Sequence, residues 1–193
     1  MRLTISGLIV LMTFPFITYS QEKETLKSTH FYSIVSAGYL FGESGVFPGA
    51  WLRTGIGLNN FKLGIGGGYD GYRFKSFPIF ADIRMDFSDS KRFFGYLNGG
   101  YHIPKGEETF DMWSFPGSEK WKGGLYADAG FGIRFKLGKK NNLLFSSGYN
   151  YKKLRHIKSY VNPCLVPPCP ENLYTYDYGL NYMNMRLNWE INY

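Results

Sequence analysis

Apolar and polar residues alternate without a break along the last stretch of the chain, YMNMRLNWEINY. A period of two is that of a β-strand with one apolar face and one polar face. Because the alternation continues to the last residue, it predicts a strand that ends with the chain. The residues of its apolar face are Met183, Met185, Leu187, Trp189, Ile191 and Tyr193.

Seven further stretches alternate in the same way and predict seven further strands. GGLYADAGFGIRFKL and PIFADIRMDF show the pattern most clearly, because every charged side chain in them falls on one parity. The composition agrees, since 16 Tyr, 17 Phe and 24 Gly favour strands and turns over helices. The other five stretches are FYSIVSAGYLF, AWLRTGIGL, FKLGIGGGY, RFFGYLNGGYHI and NLLFSSGYNYKK.

The connections between the predicted strands differ in length in a regular way. Connections 2–3, 4–5 and 6–7 are tight turns, whereas connections 1–2, 3–4, 5–6 and 7–8 are longer, with long connectors at residues 104–122 and 153–175. An antiparallel order therefore puts the longer loops at one end and both chain ends at the other. The pattern predicts an all-β fold, an eight-stranded antiparallel up-and-down transmembrane β-barrel with short periplasmic turns and longer external loops.

Aromatic residues of the apolar parity separate into two groups along the predicted strands. Amphipathic rings favour the headgroup level of a membrane, whereas a soluble core has no reason to sort them by position. The sorting favours a membrane barrel over a soluble lipocalin-like barrel, which would turn its apolar residues inward. The loop-end group is Tyr39, Tyr69, Tyr101, Tyr149 and Tyr151, and the turn-end group is Phe87, Phe93, Phe135, Trp189 and Tyr193.

The first residues have the features of a secretory signal peptide. Arg2 precedes an apolar run, and Thr18 and Ser20 are the small residues expected before a cut at Gln21. We expect residues 1–20 to be the signal peptide and residues 21–193 to form the barrel domain, with an uncleaved anchor as the alternative. The net charge of +7 is spread over connectors and single strand positions, so we expect no nucleic-acid partner.

The predicted barrel domain as a whole resembles the small eight-stranded bacterial outer-membrane β-barrel proteins, of the OmpA-barrel, OmpX and OmpW type. The resemblance lies in the architecture and in the end pattern, in which Tyr193 is preceded on one face by Ile191, Trp189 and Leu187. It implies that these four residues form an assembly signal for the barrel assembly machinery. It also implies a place in the bacterial outer membrane after Sec-type export, in contact with lipid, and we expect a monomer.

The polar parity carries charges of both signs into the predicted lumen. Eight strands enclose a space that side chains fill, and an unpaired buried charge is very costly. We therefore expect a lumen charge network and a structural or surface-interaction role through the external loops, with a narrow or gated channel as the alternative. The network residues are Arg53, Asp82, Arg84, Asp86, Asp128, Arg134, Arg186 and Glu190, with Lys62 and Lys136 near the turn end.

An enzyme of the lipid A-modifying kind is the second alternative. The deacylase pattern places a Ser directly after its catalytic His, but here Ile103 follows His102 and Ile157 follows His156. We therefore assign no catalytic residue, and we expect neither a metal site nor a cofactor.

Basic residues cluster just above the predicted tyrosine belt, at Lys152, Lys153, Arg155 and Lys158. The outer leaflet of such a membrane is rich in anionic glycolipid, so contacts with its phosphates are one interpretation. Solvated loop charge is the other.

Cys164 and Cys169 are the only cysteines and share the Pro-rich stretch NPCLVPPCPENL. The chain crosses an oxidising compartment, where such a pair tends to form a disulfide, and the prolines favour turns that bring the sulfurs together. We expect a disulfide, with free thiols as the next interpretation. Metal binding is the competing interpretation. It is disfavoured because two cysteines without a nearby pair of histidines make a poor metal site.

Overall fold

The computed structural model describes residues 29–87, 91–105, 119–161 and 171–193. The predicted signal peptide and the predicted disulfide between Cys164 and Cys169 lie outside the described residues. Within the described ranges, no helix is long and apolar enough to cross a membrane.

Nine antiparallel strand segments form one closed sheet. The strand order runs from β1 through β5 to β7, β8 and β9, and β9 pairs back with β1, where Tyr32 lies opposite Asn192 and Phe41 opposite Met183. The segments are β1 (Thr29–Gly42), β2 (Gly45–Leu58), β3 (Phe61–Asp70), β4 (Ser76–Asp86), β5 (Phe93–Pro104), β6 (Glu119–Lys122), β7 (Gly124–Lys136), β8 (Asn141–Val161) and β9 (Glu171–Asn192).

β6 and β7 are two parts of one barrel strand, because both pair with β8. Lys122 of β6 lies opposite Arg155, whereas Tyr126 of β7 lies opposite Lys152. Residues 123–125 therefore face only residues 153–154, which is the geometry of a β-bulge. The predicted eight-stranded antiparallel barrel is confirmed, and the bulge reverses the parity of β6 relative to β7.

The two faces of the barrel strands have opposite chemistry. Phe131 and Ile65 on the outer face are 71% and 69% exposed, whereas Arg53 and Arg186 in the lumen are each 1% exposed. A soluble protein would bury the apolar set instead. This distribution is that of a barrel surrounded by lipid, and the parities predicted for the second, fourth and sixth strands are confirmed.

Small residues on the lumen face make room for large ones. A Cβ atom at Gly66 would lie 2.6 Å from the Phe80 ring, and one at Gly148 would lie 2.2 Å from the Tyr96 hydroxyl. Glycine at these two positions therefore marks places where an aromatic side chain from another strand closely approaches the backbone.

The first of the predicted longer loops is instead a tight hairpin. β1 and β2 leave only Glu43 and Ser44 between them. The Gly and Pro residues of GESGVFPG suggested a longer turn, but Pro48 is tolerated in β2 because pairing with β3 ends at Gly49. The missing N–H of Pro48 therefore removes no hydrogen bond from the ladder.

The last two strands are longer than the sequence pattern predicted. β8 and β9 stay paired from Asn141 opposite Ile191 out to Val161 opposite Glu171, and β6 adds a third segment. The predicted connectors 104–122 and 153–175 are therefore partly strand, although residues 106–118 and 162–170 are outside the described ranges. The alternation fades there because a strand that has left the lipid needs no apolar face. We call residues 119–122, 153–161 and 171–179 the outer sheet.

Candidate functional site

The lumen charges at the turn end form one connected group. Lys62 Nζ lies 2.6 Å from Glu190 Oε2, and Arg134 Nη1 lies 2.9 Å from Asp86 Oδ1. Arg134 Nε lies 3.6 Å from Glu190 Oε1, and Asn142 donates a hydrogen bond to Glu190 at 2.7 Å. The group therefore ties β3, β4, β7, β8 and β9 together across the lumen.

Asp82 is the centre of a second group, halfway along the barrel. Its carboxylate lies 3.0 Å from Arg84 Nε and 3.5 Å from Arg53 Nε, and the Tyr32 hydroxyl donates to it at 3.2 Å. Arg53 also donates to Ser36 Oγ at 2.7 Å. Two guanidinium groups thus compensate a carboxylate that would be very costly if it were buried alone.

Asp128 forms the third group. Arg186 Nη1 lies 2.7 Å from Asp128 Oδ2, and Asn98 and Asn184 donate to the same carboxylate at 2.8 and 3.1 Å. The Arg186 guanidinium also lies 4.0 Å from the centre of the Trp51 ring, in a cation–π contact. All eight residues of the predicted network thus lie in the lumen, each within ion-pair distance of an opposite charge.

Above these groups, the connection between β3 and β4 folds into the barrel. We call this segment, residues 71–75, the inner plug. Tyr72 is 2% exposed and stacks on Tyr182, with the ring centroids 4.3 Å apart. The N–H of Tyr72 donates to Asp70 at 2.9 Å, and the N–H of Gly71 donates to the Pro48 carbonyl at 3.2 Å.

Lys152 fastens the inner plug to the barrel wall. Its Nζ lies 2.8 Å from Asp70 Oδ1 and donates to the carbonyls of Tyr72 and Phe74 at 2.8 and 2.9 Å. The side chain is fully buried, because Lys152 lies on the lumen face of β8. The structure therefore corrects the grouping of Lys152 with the basic residues expected to contact glycolipid.

The other three residues of that group occupy two faces of the outer sheet. Lys153 and Arg155 are exposed on the outward face, whereas Lys158 Nζ lies 2.8 Å from Glu119 Oε1 on the inward face. Arg155 donates two hydrogen bonds to Asp177, at 2.6 and 3.0 Å. These bonds raise the pKa of Arg155 and lower the pKa of Asp177, and the hydrogen bond from Lys158 lowers the pKa of Glu119.

Two further cations share the outward face with Lys153 and Arg155. Lys122 lies opposite Arg155 and Lys120 opposite Ile157, and both lysines are exposed. We call Lys120, Lys122, Lys153 and Arg155 the outer basic patch. Sequence reasoning missed the two β6 lysines because the bulge at residues 123–125, which brings them to this face, has no signal in the alternation.

Aromatic side chains cover the inner plug from the outer side. The Trp121 ring stacks on the His156 imidazole with the centroids 3.7 Å apart. Phe74 of the plug packs against Trp121 and Tyr178 at 5.0 and 5.4 Å between centroids. Trp121 also faces inward because of the bulge, so the alternation could not have placed it here.

Both histidines considered for catalysis are engaged by neighbouring groups. His102 Nε2 lies 2.7 Å from the Lys153 carbonyl oxygen, and His156 Nε2 lies 3.4 Å from Glu119 Oε2. In the part of the chain that the structure describes, no three His, Cys, Asp or Glu residues are grouped to hold a metal ion.

The residues of the expected assembly signal share the lipid-facing side of β9. Leu187, Trp189 and Tyr193 are exposed there, and Ile191 is half-buried. The Tyr193 N–H donates to the Phe31 carbonyl at 2.9 Å, so the last residue takes part in the ladder that closes the barrel.

A closed barrel of eight antiparallel strands, apolar outside and filled with paired charges inside, is the fold of the small outer-membrane β-barrel proteins. The chain is similar in structure to a major outer membrane protein from Thermus thermophilus. The TM-score is 0.50 at 10% sequence identity, over 86% of this chain and 100% of that chain.

Two further solved structures are similar to the chain. Neisserial surface protein A (NspA) matches with a TM-score of 0.43 and 13% identity, over 86% of this chain and 97% of that chain. The outer membrane protein AlkL, solved in DMPC lipid bilayers, matches with a TM-score of 0.38 and 12% identity, over 91% of this chain and 95% of that chain. No family model and no curated protein matches the sequence. At 10% sequence identity, the likeness to the Thermus thermophilus protein shows the fold alone.

Proposed function

We propose that the protein is a bacterial outer-membrane barrel, exported by the Sec pathway, that acts through surface interaction at its external end. The proposed partner is the anionic glycolipid of the outer leaflet. The observation that carries this proposal is the outer basic patch. Its four cations lie on one outward surface and repel one another, and within the described ranges Arg155 alone of the four forms an ion pair, with Asp177.

The position of the patch fits the phosphate level of a membrane. Tyr149 and Tyr151 lie on the same strand directly before Lys153, and rings of this kind mark the headgroup level. Lys122 and Arg155 are direct cross-strand neighbours, so their side chains reach the same ligand group. The lysine ammonium groups bind phosphate oxygens strongly, and Arg155, whose Nε and Nη2 donate to Asp177, adds its charge beside them.

The interior of the barrel supports a role at the surface. Three groups of paired charges, the inner plug and the Trp121–His156 stack follow one another along the lumen. Side chains that fill an eight-stranded barrel in this way leave no wide aqueous path. The proposed role is not enzymatic, because Ile103 and Ile157 follow His102 and His156 where the deacylase pattern has a Ser.

Native mass spectrometry of the protein in micelles doped with lipid A tests the proposal. The triple variant Lys120→Gln, Lys122→Gln, Lys153→Gln removes three exposed charges, each contributing about 0.5–1 kcal/mol to an ion pair. We therefore expect lipid A binding to weaken by roughly tenfold or more. The matched control, Arg92→Gln, Lys105→Gln, Lys140→Gln, removes the same charge from exposed positions outside the outer basic patch and should retain lipid A. Equal retention by both triple variants would contradict the proposal.

The inner plug favours a second candidate function, a narrow conductance that opens when residues 71–75 leave the lumen. Recordings in a planar lipid bilayer separate the two functions. A closed lumen predicts that the wild-type protein stays at the lipid baseline. A stable open level in the wild type would support the channel instead.

A further inference from the structure

A cavity of about 170 Å³ opens at the turn end of the lumen, far from the outer basic patch. Asn59, Lys91 and Lys139, which belong to the short turns, form its rim, and lumen residues form its floor. A water molecule takes about 30 Å³ in the liquid, so the cavity has room for a phosphate ion together with ordered water.

Positive charge dominates the lining of this cavity. Both of its carboxylates are already paired, Glu190 with Lys62 and Asp86 with Arg134. The Lys91 ammonium donates to the Asn59 carbonyl at 2.7 Å. No ion pair is formed by Lys136 or Lys139 with any residue that the structure describes. The lining has five cationic side chains, Lys62, Lys91, Arg134, Lys136 and Lys139, against the two carboxylates, Asp86 and Glu190.

Arg134 lies in the floor of this lining with an incomplete set of hydrogen bonds. Its Nη1 donates to Asp86 Oδ2 at 3.0 Å and to the Lys91 carbonyl at 2.9 Å. Its Nη2 and Nε have no hydrogen-bond partner among the described residues, and Nε lies 3.6 Å from Glu190 Oε1. Because the side chain is only 4% exposed and an unsatisfied buried donor is costly, the guanidinium favours negative charge in the cavity.

We propose that this cavity binds a phosphate oxyanion. Lys136 and Lys139 bind the phosphate oxygens at the rim, and the Arg134 guanidinium adds positive charge from the floor. The phosphate is either inorganic phosphate or the headgroup of a phospholipid in the periplasmic leaflet, because the turn end lies level with that leaflet. The site is separate from the outer basic patch and does not depend on the glycolipid proposal.

Titration with inorganic phosphate tests the site, using the full chain folded in neutral micelles and isothermal calorimetry. We expect saturable one-site binding. The double variant Lys136→Gln, Lys139→Gln removes two exposed charges that form no ion pair within the described residues, so folding should be retained. Binding should weaken about fivefold, which corresponds to ~1 kcal/mol. The matched control Arg92→Gln, Lys140→Gln removes the same charge from exposed turn-end residues that do not line the cavity, and it should bind phosphate like the wild type.

Arg134→Gln removes the positive charge from the floor, so we expect at least about a tenfold loss of phosphate affinity. If this variant fails to fold in a gel-mobility assay, the rim variant decides alone. Reconstitution in phosphatidylcholine nanodiscs with added phosphatidic acid separates the two sources of phosphate. Competition with inorganic phosphate that the rim variant weakens would identify a lipid headgroup as a ligand. The proposal is overturned if neither probe binds saturably, or if the rim variant and the wild type bind phosphate equally.

Discussion

The substitution Lys152→Met tests whether one buried lysine holds the inner plug in the barrel. It removes the ion pair with Asp70 and the hydrogen bonds to the carbonyls of Tyr72 and Phe74. Breaking a buried ion pair by removing one partner costs about 3–5 kcal/mol, because the other charge stays buried without compensation. The two carbonyls lose their donor as well, which adds about 1 kcal/mol each.

Other donors to Asp70 limit the loss. The Tyr72 N–H and the Tyr182 hydroxyl still donate to this carboxylate when the lysine is absent. We therefore expect a net decrease of about 3–5 kcal/mol in the free energy of unfolding. Because the plug loses its anchor, we also expect conductance to appear in a planar bilayer where the wild type shows none.

The assay is a urea titration in lipid vesicles, with the folded fraction read from gel mobility without boiling. Lys153→Met is the matched control, since Lys153 is exposed, and it should change the free energy of unfolding by less than about 0.5 kcal/mol. The double variant Asp70→Asn, Lys152→Met should recover part of the loss, because it leaves no unpaired carboxylate. A loss below about 1 kcal/mol for Lys152→Met, together with an unchanged conductance, would refute the anchoring role.

Three further predictions follow from the fold. The native barrel should resist detergent and migrate faster on a gel before boiling than after it, because its hydrogen bonds form a closed ring; identical mobilities would contradict closure. Phe131→Arg should lower the free energy of unfolding by about 2–4 kcal/mol in the vesicle titration. Leu173→Arg, at a similarly exposed position on the outer sheet, should lower it by less than about 0.5 kcal/mol. Equal losses would show that Phe131 and Leu173 do not differ in their contact with lipid. Arg186→Ala should lower the free energy of unfolding by about 3–5 kcal/mol, because it leaves Asp128 without its ion pair. The control Lys136→Ala should lower it by less than about 0.5 kcal/mol. A similarly small loss for Arg186→Ala would show that the Asp128 group does not stabilise the barrel.

The lipid itself explains how much of the fold the sequence pattern predicts. Inside the membrane each strand must place apolar residues outward, so period two alone assigned Arg53, Asp82 and Glu190 to the lumen. Beyond the lipid this constraint ends. For that reason the pattern stopped near residue 153, while β8 and β9 stay paired as far as Val161 and Glu171.

The alternation of apolar and polar residues did not predict all the residues of the candidate sites correctly. Lys152 falls on the lumen parity of β8, yet its place in a run of basic residues suggested a surface role. Its actual partners lie at the end of β3 and in the inner plug, which are distant in sequence. Lys120 and Lys122 reach the outward face because of the bulge. One extra residue in a strand reverses the faces of the side chains before it relative to those after it.

The distribution of charge connects the filled lumen with the two proposed binding surfaces. The eight network residues comprise four arginines and four carboxylates, and Lys152 is matched by Asp70, so these lumen groups contribute nothing to the net charge of +7. The outer basic patch and the rim of the turn-end cavity both carry positive charge that is not balanced in this way within the described residues. These are the two levels at which phosphate groups meet a barrel in a membrane. Balanced charge in the lumen stabilises the pairing of the strands. The two proposed anion-binding sites lie where positive charge is unbalanced.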